Sequence, residues 1–385
     1  MILTRRFWLG LLVSIGLLVL FLWKVDFAQT GRELRDANYV YYVPAVLVYF
    51  VAFWFRSLRW RYLLLHLKPI SPWRLYPVAA IGYLANNILP MRLGEFVRAH
   101  FVGEKEGISK TASLATIGVE RVFDGLTLLF LAAVVFPFLP WTDVLRTDSG
   151  DLKGWWVALS VVIVVAFVSA FVIFLVLATS PQRGRRWVGA IASLSPRGLR
   201  PKVGALIELL IEGLGALRSK RTLLMVALLS LPVWLTEALM YYIIAISFDL
   251  DVGFDVILLV TVTSNLATAV PSSIGGIGPF EVVAKATLVA FAVDGSLAAA
   301  YAFFVHIVAL WLPVNVMGMA FLWKENLSIG QLARAGGIDL PPFSTDQQPG
   351  ADGQQVPSSG LGRAQRAGPV DYADKGLAAQ GEERE

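Results

Sequence analysis

The chain alternates between long apolar runs and short polar segments. Six of the apolar runs are long enough to cross the hydrocarbon core of a bilayer as helices, which takes about 20 residues. They occupy positions 7–23, 39–55, 123–140, 155–179, 223–248 and 298–323. Membrane-spanning strands would alternate apolar and polar residues instead of running continuously apolar. The pattern therefore predicts an all-α polytopic membrane protein with about six spanning helices.

Two further apolar stretches, 75–103 and 256–293, are each interrupted near the middle by helix-disrupting residues. The interruptions read NNILPMRLGE and NLATAVPSSIGGIGPFE. Both have the order Asn, Pro, Gly, Glu: Asn86/Asn87, Pro90, Gly94 and Glu95 in the first, and Asn265, Pro271, Gly278 and Glu281 in the second. Paired interruptions of this kind in two halves of a chain are typical of the midplane site of a transporter. We interpret the stretches as two re-entrant helical hairpins related as inverted repeats, with bends at Pro90, Gly94, Pro271 and Pro279.

The distribution of charge gives the expected orientation of the helices. Segments 56–74 and 180–202 carry several Arg and Lys and no acidic residue, whereas all the charged residues of 248–255 are acidic. The positive-inside rule places both basic segments in the cytoplasm. Each interrupted stretch must then enter and leave the membrane on one side, because a single crossing would invert the charge pattern downstream. We expect a multi-pass protein of the cell (inner) membrane with cytoplasmic N- and C-termini.

Composition supports a membrane protein and narrows the chemistry. Hydrophobic residues make up 56% of the chain, charged residues only 16%, and the mean hydropathy is +0.65. With no Cys and three widely spaced His, we expect no disulfide, thiolate chemistry, metal cluster or other cofactor. Residues 1–325 are expected to form one transmembrane domain. The Gly-, Pro- and Gln-rich remainder, 326–385, is expected to be a disordered cytoplasmic tail.

Two groups of charged residues lie in or beside apolar segments. Arg92, Glu95 and Arg98 recur at helical spacing after the first interruption, and GVERVFDG carries Glu120, Arg121 and Asp124. Ionisable residues at membrane depth usually face the bundle interior or a wet cavity. One interpretation is a salt-bridge group that fixes the hairpin. The other is a site for an anionic headgroup, whose phosphate matches the planar fork of Arg.

A third motif, PSSIGGIGPFEVVAK, is a glycine-rich loop that leads into a helix. Gly275, Gly276 and Gly278 precede Pro279 at the expected helix start, and such a helix N-terminus is a ready anion site. Glu281 is spaced to pair with Lys285 one turn later. Glu237, isolated within an apolar run, is expected to be a hydrogen-bonded interior group or a protonation site, and His306 a packed interior residue.

Together the three motifs resemble the membrane domain of lysylphosphatidylglycerol synthetases, the flippase-like UPF0104 family, over roughly residues 5–325. The resemblance implies a bundle with re-entrant helices that moves lipids between leaflets. The soluble domain that uses aminoacyl-tRNA in two-domain members has no counterpart here, so synthetase activity is not expected. The motif positions that carry over are Asn87, Pro90, Arg92, Gly94, Glu95, Arg98, Glu120, Arg121, Asp124, Pro271, Gly275, Gly276, Gly278 and Glu281.

These observations predict a lipid translocase whose partner is a membrane lipid with an anionic or zwitterionic headgroup. We expect it to bind no nucleic acid. No nucleotide-binding GxxxxGK[ST] motif is present, so a gradient or mass action would drive movement. One alternative is a membrane enzyme for polyprenyl-linked glycans or hopanoids, with Glu120 and Asp124 as base and metal ligand. The other is a non-catalytic accessory subunit of a lipid-modifying enzyme. The expected protein partner is a second copy of the chain, in a homo-oligomer, or a lipid-modifying enzyme.

Overall fold

The computed structural model describes residues 5–22, 25–89, 93–139, 219–269 and 275–327, with single positions at 165, 169, 172, 330, 332 and 335. Within these residues all regular structure is helical. The helices, numbered in chain order as described, are α1 (Arg5–Leu22), α2 (Phe27–Asp36), α3 (Tyr42–Leu64), α4 (Pro72–Ile88), α5 (Gly94–Glu106), α6 (Lys110–Val135), α7 (Lys220–Ser247), α8 (Phe254–Ala267), α9 (Pro279–Ala290), α10 (Gly295–Phe303) and α11 (Leu312–Lys324). A π-helical segment, Phe304–Trp311, joins α10 to α11 without a break.

Four helices in the described part of the chain are long and apolar enough to cross a membrane. They span Tyr39–Leu64, Lys110–Phe138, Lys220–Ser247 and Gly295–Lys324. Large apolar side chains such as Leu47, Phe130 and Val316 point outward from them, as lipid-facing residues do. The all-α polytopic prediction is thus confirmed. The predicted run 155–179 lies outside the described residues except for single positions, and the total number of spans stays a prediction.

Two helices extend further than the hydropathy pattern predicted. Helix α6 begins at Lys110 and not near position 123, and α3 continues to Leu64, well beyond position 55. Arg56 and Arg59 are therefore not part of an exposed basic loop, which was the sequence-based interpretation, but are buried inside the bundle. That interpretation was wrong for these two residues because their charge is neutralised by acids on neighbouring helices. Two other basic residues of the predicted segment, Lys68 and Arg74, are exposed after α3, and both pair with Glu106.

Both interrupted stretches fold as helix, break, helix, with the breaks where the sequence placed them. Helix α4 packs against α5 across the first break, and α8 packs against α9 across the second. Gly94 is the first residue of α5, and Pro279 is the first residue of α9. Pro90, Arg92 and Pro271 lie outside the described residues. Entry of the two hairpins from opposite membrane faces, and their inverted-repeat relation, stay predictions.

A glycine contact closes the first hairpin. A Cβ on Gly94 would lie 2.0 Å from the carbonyl oxygen of Gly82, so only glycine allows α5 to approach α4 this closely. The Asn86 side chain accepts a hydrogen bond of 2.8 Å from the Gly94 amide and thereby caps the turn. Gly82 in turn lies against the stem of Arg98, where a Cβ would meet Cγ at 2.0 Å. The glycine pair therefore fixes both the hairpin and the position of Arg98.

We expect Gly94→Ala to lower the free energy of unfolding by about 1–3 kcal/mol or more, because its methyl group would overlap rigid backbone. Thermal or denaturant unfolding of the purified protein in detergent measures this loss. Gly125→Ala is the matched control, since a Cβ at Gly125 in α6 meets nothing within 4 Å. That variant should be neutral or slightly stabilising, by about 0.5–1 kcal/mol. Equal stability of the two variants would contradict the contact.

All the described helices belong to one compact unit, Met1–Pro341. Helix α11 ends at Lys324, next to the predicted domain boundary. The predicted disordered tail lies mostly outside the described residues. Among the described positions beyond the boundary, Leu332 is buried in the same apolar cluster as Trp60 and Leu322.

Candidate functional site

A cavity of about 330 Å³ lies where the two helix breaks face each other. The first break contributes Asn86, Asn87 and Glu95 to its wall, and the second contributes Asn265, Thr268, Gly275 and Gly276. Helices α3, α6, α7 and α11 and the π-helical segment complete the lining. The two motifs that the sequence identified separately thus form one polar chamber, inside a bundle whose outer surface is apolar.

The predicted site residues divide between the cavity surface and the layer behind it. Those that line the cavity are Asn87, Glu95, Arg121, Asp124, Gly275 and Gly276. Those that lie behind it are Arg98, Glu120, Gly278 and Glu281. Of these, Arg98 is 2% exposed, Glu120 0% and Glu281 2%. Arg92 is outside the described residues, so its role stays a prediction. Residues of the first set are therefore accessible from the cavity, whereas those of the second set are not among its lining residues.

Glu120 is the centre of a buried ion network. Arg98 donates to both of its carboxylate oxygens, at 3.2 and 3.1 Å, and Arg121 donates to Oε1 at 2.8 Å. The Arg98 guanidinium also lies over the Trp60 ring, 4.1 Å from its centroid. A forked arginine–carboxylate pair of this kind is among the strongest polar contacts in proteins. The contact joins α5 to α6, as expected of a salt bridge that fixes the hairpin.

Asp124 extends the network to two more helices. Its Oδ1 pairs with Arg59 of α3 at 2.8 Å and accepts a hydrogen bond of 3.2 Å from the Trp234 indole of α7. Its Oδ2 lies 3.2 Å from Arg121. Arg59 is fully buried and donates to Ser230 as well, at 2.9 Å. The charged residues therefore tie four helices together around one side of the cavity.

A second buried pair, Arg56 with Glu237, connects α3 and α7 on another wall of the cavity. The Arg56 guanidinium also lies over the Trp234 ring, 4.9 Å from its centroid. Glu237 is thus the interior hydrogen-bonded group that the sequence suggested. Its partner was missed, as was Arg59, because the positive-inside rule assigned both arginines to a loop. The signal that could have found them is the excess of acids within apolar helices, which need cations nearby.

The network carries no net charge over the residues that the structure describes. Four arginines (Arg56, Arg59, Arg98, Arg121) face four carboxylates (Glu95, Glu120, Asp124, Glu237). The most accessible pair is Arg121 with Glu95, whose side chains are 33% and 23% exposed and 3.5 Å apart. Arg121 and Glu95 are therefore the charged groups best placed to meet a ligand in the cavity.

Three hydrogen-bond donors at the cavity have no hydrogen-bond partner in the described part of the protein. They are Nε of Arg121, whose contact is the 3.5 Å ion pair with Glu95, the hydroxyl of Tyr83 and Nε1 of Trp311. Buried polar atoms are rarely left unpaired in folded proteins. All three atoms are themselves buried, so an acceptor oxygen in the cavity reaches them only if a neighbouring group moves. Neither Tyr83 nor Trp311 was identified from the sequence.

The second break ends in a glycine loop whose backbone only glycine adopts readily. Gly275, Gly276 and Gly278 have φ values of 54°, 82° and 97°. The amide of Gly278 donates a hydrogen bond of 2.7 Å to Oε2 of Glu281, which caps α9. The sequence predicted an anion site at this helix N-terminus. The anion bound to the Gly278 amide is the carboxylate of Glu281 itself.

The other oxygen of Glu281 faces the last long helix. Oε1 lies 2.6 Å from Nδ1 of His306, and Nε2 of the same ring lies 3.2 Å from the carbonyl oxygen of Gly275. The expected pairing of Glu281 with Lys285 is not what the structure shows, since Lys285 donates to the carbonyl of Phe21 in α1 at 3.4 Å. His306, expected only to pack in the interior, links α9, the glycine loop and the π-helical segment.

Comparison with known proteins identifies the family. The profile of the family described as lysylphosphatidylglycerol synthase TM region matches residues 7–316. A UPF0104 membrane protein of Methanothermobacter thermautotrophicus is 28% identical over 82% of this chain and 92% of its own length. A UPF0104 membrane protein of Pyrococcus horikoshii is 23% identical over 84% of this chain and 98% of its own.

Another relative has a name that refers to an enzyme. Glycosyltransferase AglD of Haloferax volcanii is 28% identical over 75% of this chain but only 50% of its own length. No solved structure gives a significant match. Since the family profile covers most of the chain, the protein belongs to the lysylphosphatidylglycerol synthase TM region family.

Proposed function

We propose that the protein is a lipid translocase that moves a lipid with a charged headgroup between the leaflets of the cell membrane. The observation that carries this proposal is the polar cavity between two broken helical hairpins, within a bundle whose outer surface is apolar. Broken helices at membrane depth are tolerated where they line a cavity. Such a cavity shelters a headgroup while the acyl chains stay in the bilayer.

The cavity chemistry supports an anionic or zwitterionic headgroup. The Arg121 side chain is 33% exposed at the cavity, and Tyr83 and Trp311 place two further, buried donors in its wall. Phosphate or hydroxyl oxygens match these donors, and Glu95 beside Arg121 suits an amine on the same headgroup. The volume of about 330 Å³ equals that of about ten water molecules, enough for a headgroup. We assign contact with the headgroup to Asn87, Glu95, Arg121, Asp124, Gly275 and Gly276.

The residues behind the cavity wall support those that touch the lipid. Arg98 and Glu120 hold α5 against α6, and Gly278 with Glu281 shapes the glycine loop. Arg92 stays a predicted headgroup contact at the first break. As part of the same proposal, both termini are cytoplasmic, and a second copy of the chain or a lipid-modifying enzyme is the expected protein partner.

Filling the cavity should stop lipid movement without unfolding the protein. Gly125 lines the cavity, and a Cβ there meets nothing within 4 Å, so larger side chains extend into open space. In proteoliposomes with headgroup-labelled lipids, we expect Gly125→Leu and Gly125→Phe to lower leaflet exchange at least about tenfold. Gly125→Ala should retain exchange. The lipid panel includes anionic, aminoacylated and polyprenyl-linked species, so the class that exchanges identifies the substrate.

A matched control places the same side chain elsewhere. Gly31 in α2 is exposed, and a Cβ there also meets nothing within 4 Å. Gly31→Leu should therefore leave exchange unchanged. If Gly125→Phe exchanged lipid as fast as the unaltered protein, the cavity would not be the translocation site. If the unaltered protein exchanged no lipid class, the translocase proposal would fail.

The relative named as a glycosyltransferase favours a second candidate, a role in a polyprenyl-linked glycan pathway. Under this candidate the same cavity receives the phosphate or sugar of a lipid-linked glycan. An acid–base or metal-ligand role for Glu120 is not supported, because its carboxylate is fully buried and bonded to Arg98 and Arg121. Exchange of only the polyprenyl-linked lipid in the panel, or its chemical conversion, would select this candidate.

A further inference from the structure

The contacts of His306 have a feature that the lipid site does not explain. The ring is 4% exposed, stacks on Phe280 at 4.2 Å, and borders the cavity. Both of its nitrogens face oxygen acceptors: a carboxylate oxygen of Glu281 at 2.6 Å and the carbonyl of Gly275 at 3.2 Å. Neither oxygen of an ionised Glu281 can donate, and a backbone carbonyl never can.

The two contacts of the His306 ring require two hydrogens to become hydrogen bonds. A neutral imidazole carries one N–H, which serves only one of the two oxygens, and its other nitrogen presents a lone pair to the second. Two hydrogens satisfy both contacts, either as an imidazolium beside a carboxylate or as a neutral ring beside a protonated Glu281. The pair is therefore fully bonded only when it holds one proton more than a neutral ring and an ionised acid.

We propose that Glu281 and His306 together form a proton-binding site whose occupancy holds or releases the glycine loop at the cavity wall. Water in the cavity supplies the proton and takes it back, and no covalent bond to another atom changes. When the proton leaves, His306 keeps its stronger, charge-assisted bond to Glu281 and turns a lone pair toward Gly275. The bond that holds the loop is then lost.

The loop is well placed to pass this change to a bound lipid. Gly275 lines the cavity and lies so close to the Trp311 indole that a Cβ there would meet it at 2.6 Å. Release of Gly275 therefore changes the surface next to an unpaired indole donor. On the proposed function, on which this step rests, release of the loop couples lipid movement to proton movement, and a proton gradient is the driving force.

The other charged groups nearby are accounted for. On α9, Lys285 points to α1 and donates to the Phe21 carbonyl. From α3, Tyr42 donates to the carbonyl of Val308 in the π-helical segment. The remaining titratable groups on the cavity wall are Tyr49, Arg56, Tyr83, Glu95, Arg121, Asp124 and Glu237. Of the residues that the structure describes, Glu281 is the ionisable side chain bonded to His306.

The proton site is tested without any transport assay. The full chain, labelled with ¹⁵N-histidine in lipid nanodiscs, has three histidines, and the His306→Gln variant identifies the signal of His306. Over a pH titration, we expect a ring nitrogen of His306 to change its protonation, and Glu281→Gln to move the pH at which this change occurs. If neither ring nitrogen of His306 gained or lost its hydrogen over the titration, the proposal would be overturned.

Coupling is tested in proteoliposomes with an imposed difference of one pH unit. One proton per lipid shifts the leaflet ratio by up to about tenfold. We expect this shift in the unaltered protein and in the control Lys285→Met, and its loss in His306→Gln. If exchange did not respond to the gradient, the coupling would be overturned and the proposal of a translocase would stand. Absence of exchange would overturn the proposed function and the coupling with it, while the NMR titration would still decide the proton site.

Discussion

Arg59→Leu is expected to lower the free energy of unfolding by about 3–5 kcal/mol, one of the two largest effects we predict. Arg59 is fully buried, and it pairs with Asp124 at 2.8 Å and approaches Glu120 at 3.6 Å. Removing one partner of a buried ion pair leaves an uncompensated charge in a low-dielectric interior. Reversible unfolding of the purified protein in mixed micelles measures the loss.

A double-mutant cycle separates this charge effect from lost packing. Asp124→Asn removes the negative charge that Arg59 neutralises, so the double variant Arg59→Leu/Asp124→Asn should regain part of the stability lost in Arg59→Leu. Purely additive losses in the double variant would show that Arg59 stabilises the bundle mainly by filling space. Arg59→Lys should also destabilise, because a single ammonium cannot replace a fork that reaches both Asp124 and Ser230.

Arg121→Gln is expected to lower lipid exchange at least about tenfold while the protein stays folded. Its side chain is 33% exposed at the cavity, so the guanidinium is available to a headgroup. A hydrogen bond to a charged group is worth about 1.5–3 kcal/mol, which corresponds to tenfold or more. The fold should survive because Glu120 remains paired with Arg98, and Asp124 with Arg59, when Arg121 is replaced.

Two measurements complete the test of Arg121. The unfolding midpoint of Arg121→Gln should stay much closer to that of the unaltered protein than the midpoint of Arg59→Leu. Arg121→Lys, which keeps the charge but not the fork, should retain part of the exchange. Unchanged exchange in Arg121→Gln would remove this residue from the site and leave the cavity to be tested through Gly125.

The broken helices were predictable because their signal is local. Asn86, Gly94 and Glu95 lie within ten residues of each other, and so each break could be located from a short stretch of sequence. The acids Glu120 and Asp124 were found for the same reason, since charges stand out within an apolar helix. Local patterns of this kind depend on the rise and turn of a single helix, which the sequence determines directly.

The partners of these acids were not predictable, because they come from distant parts of the chain. Arg56 and Arg59 follow an apolar run, where a basic residue ordinarily marks the membrane surface. Only the packing of α3 against α7 and α6 shows that both remain inside. His306 is a similar case, since its two partners precede it by 25 and 31 residues. A lone histidine in an apolar helix gives no sign of either partner.

The π-helical segment Phe304–Trp311 lies within one continuous helix, from α10 through α11, whose length matters to within one residue. Each residue of an α-helix turns the chain by about 100°, so the segment fixes the angle between the faces of α10 and α11. α10 turns Ala298 and Ala302 to the core, while α11 turns Gly318 to the carbonyl of Ala80, where a Cβ would lie at 2.8 Å. Inserting or deleting one residue of α11 between this segment and Gly318 rotates Gly318 by about 100° out of this contact and brings a bulkier side chain against α4. An insertion or deletion that most membrane helices absorb at their ends is therefore not neutral here.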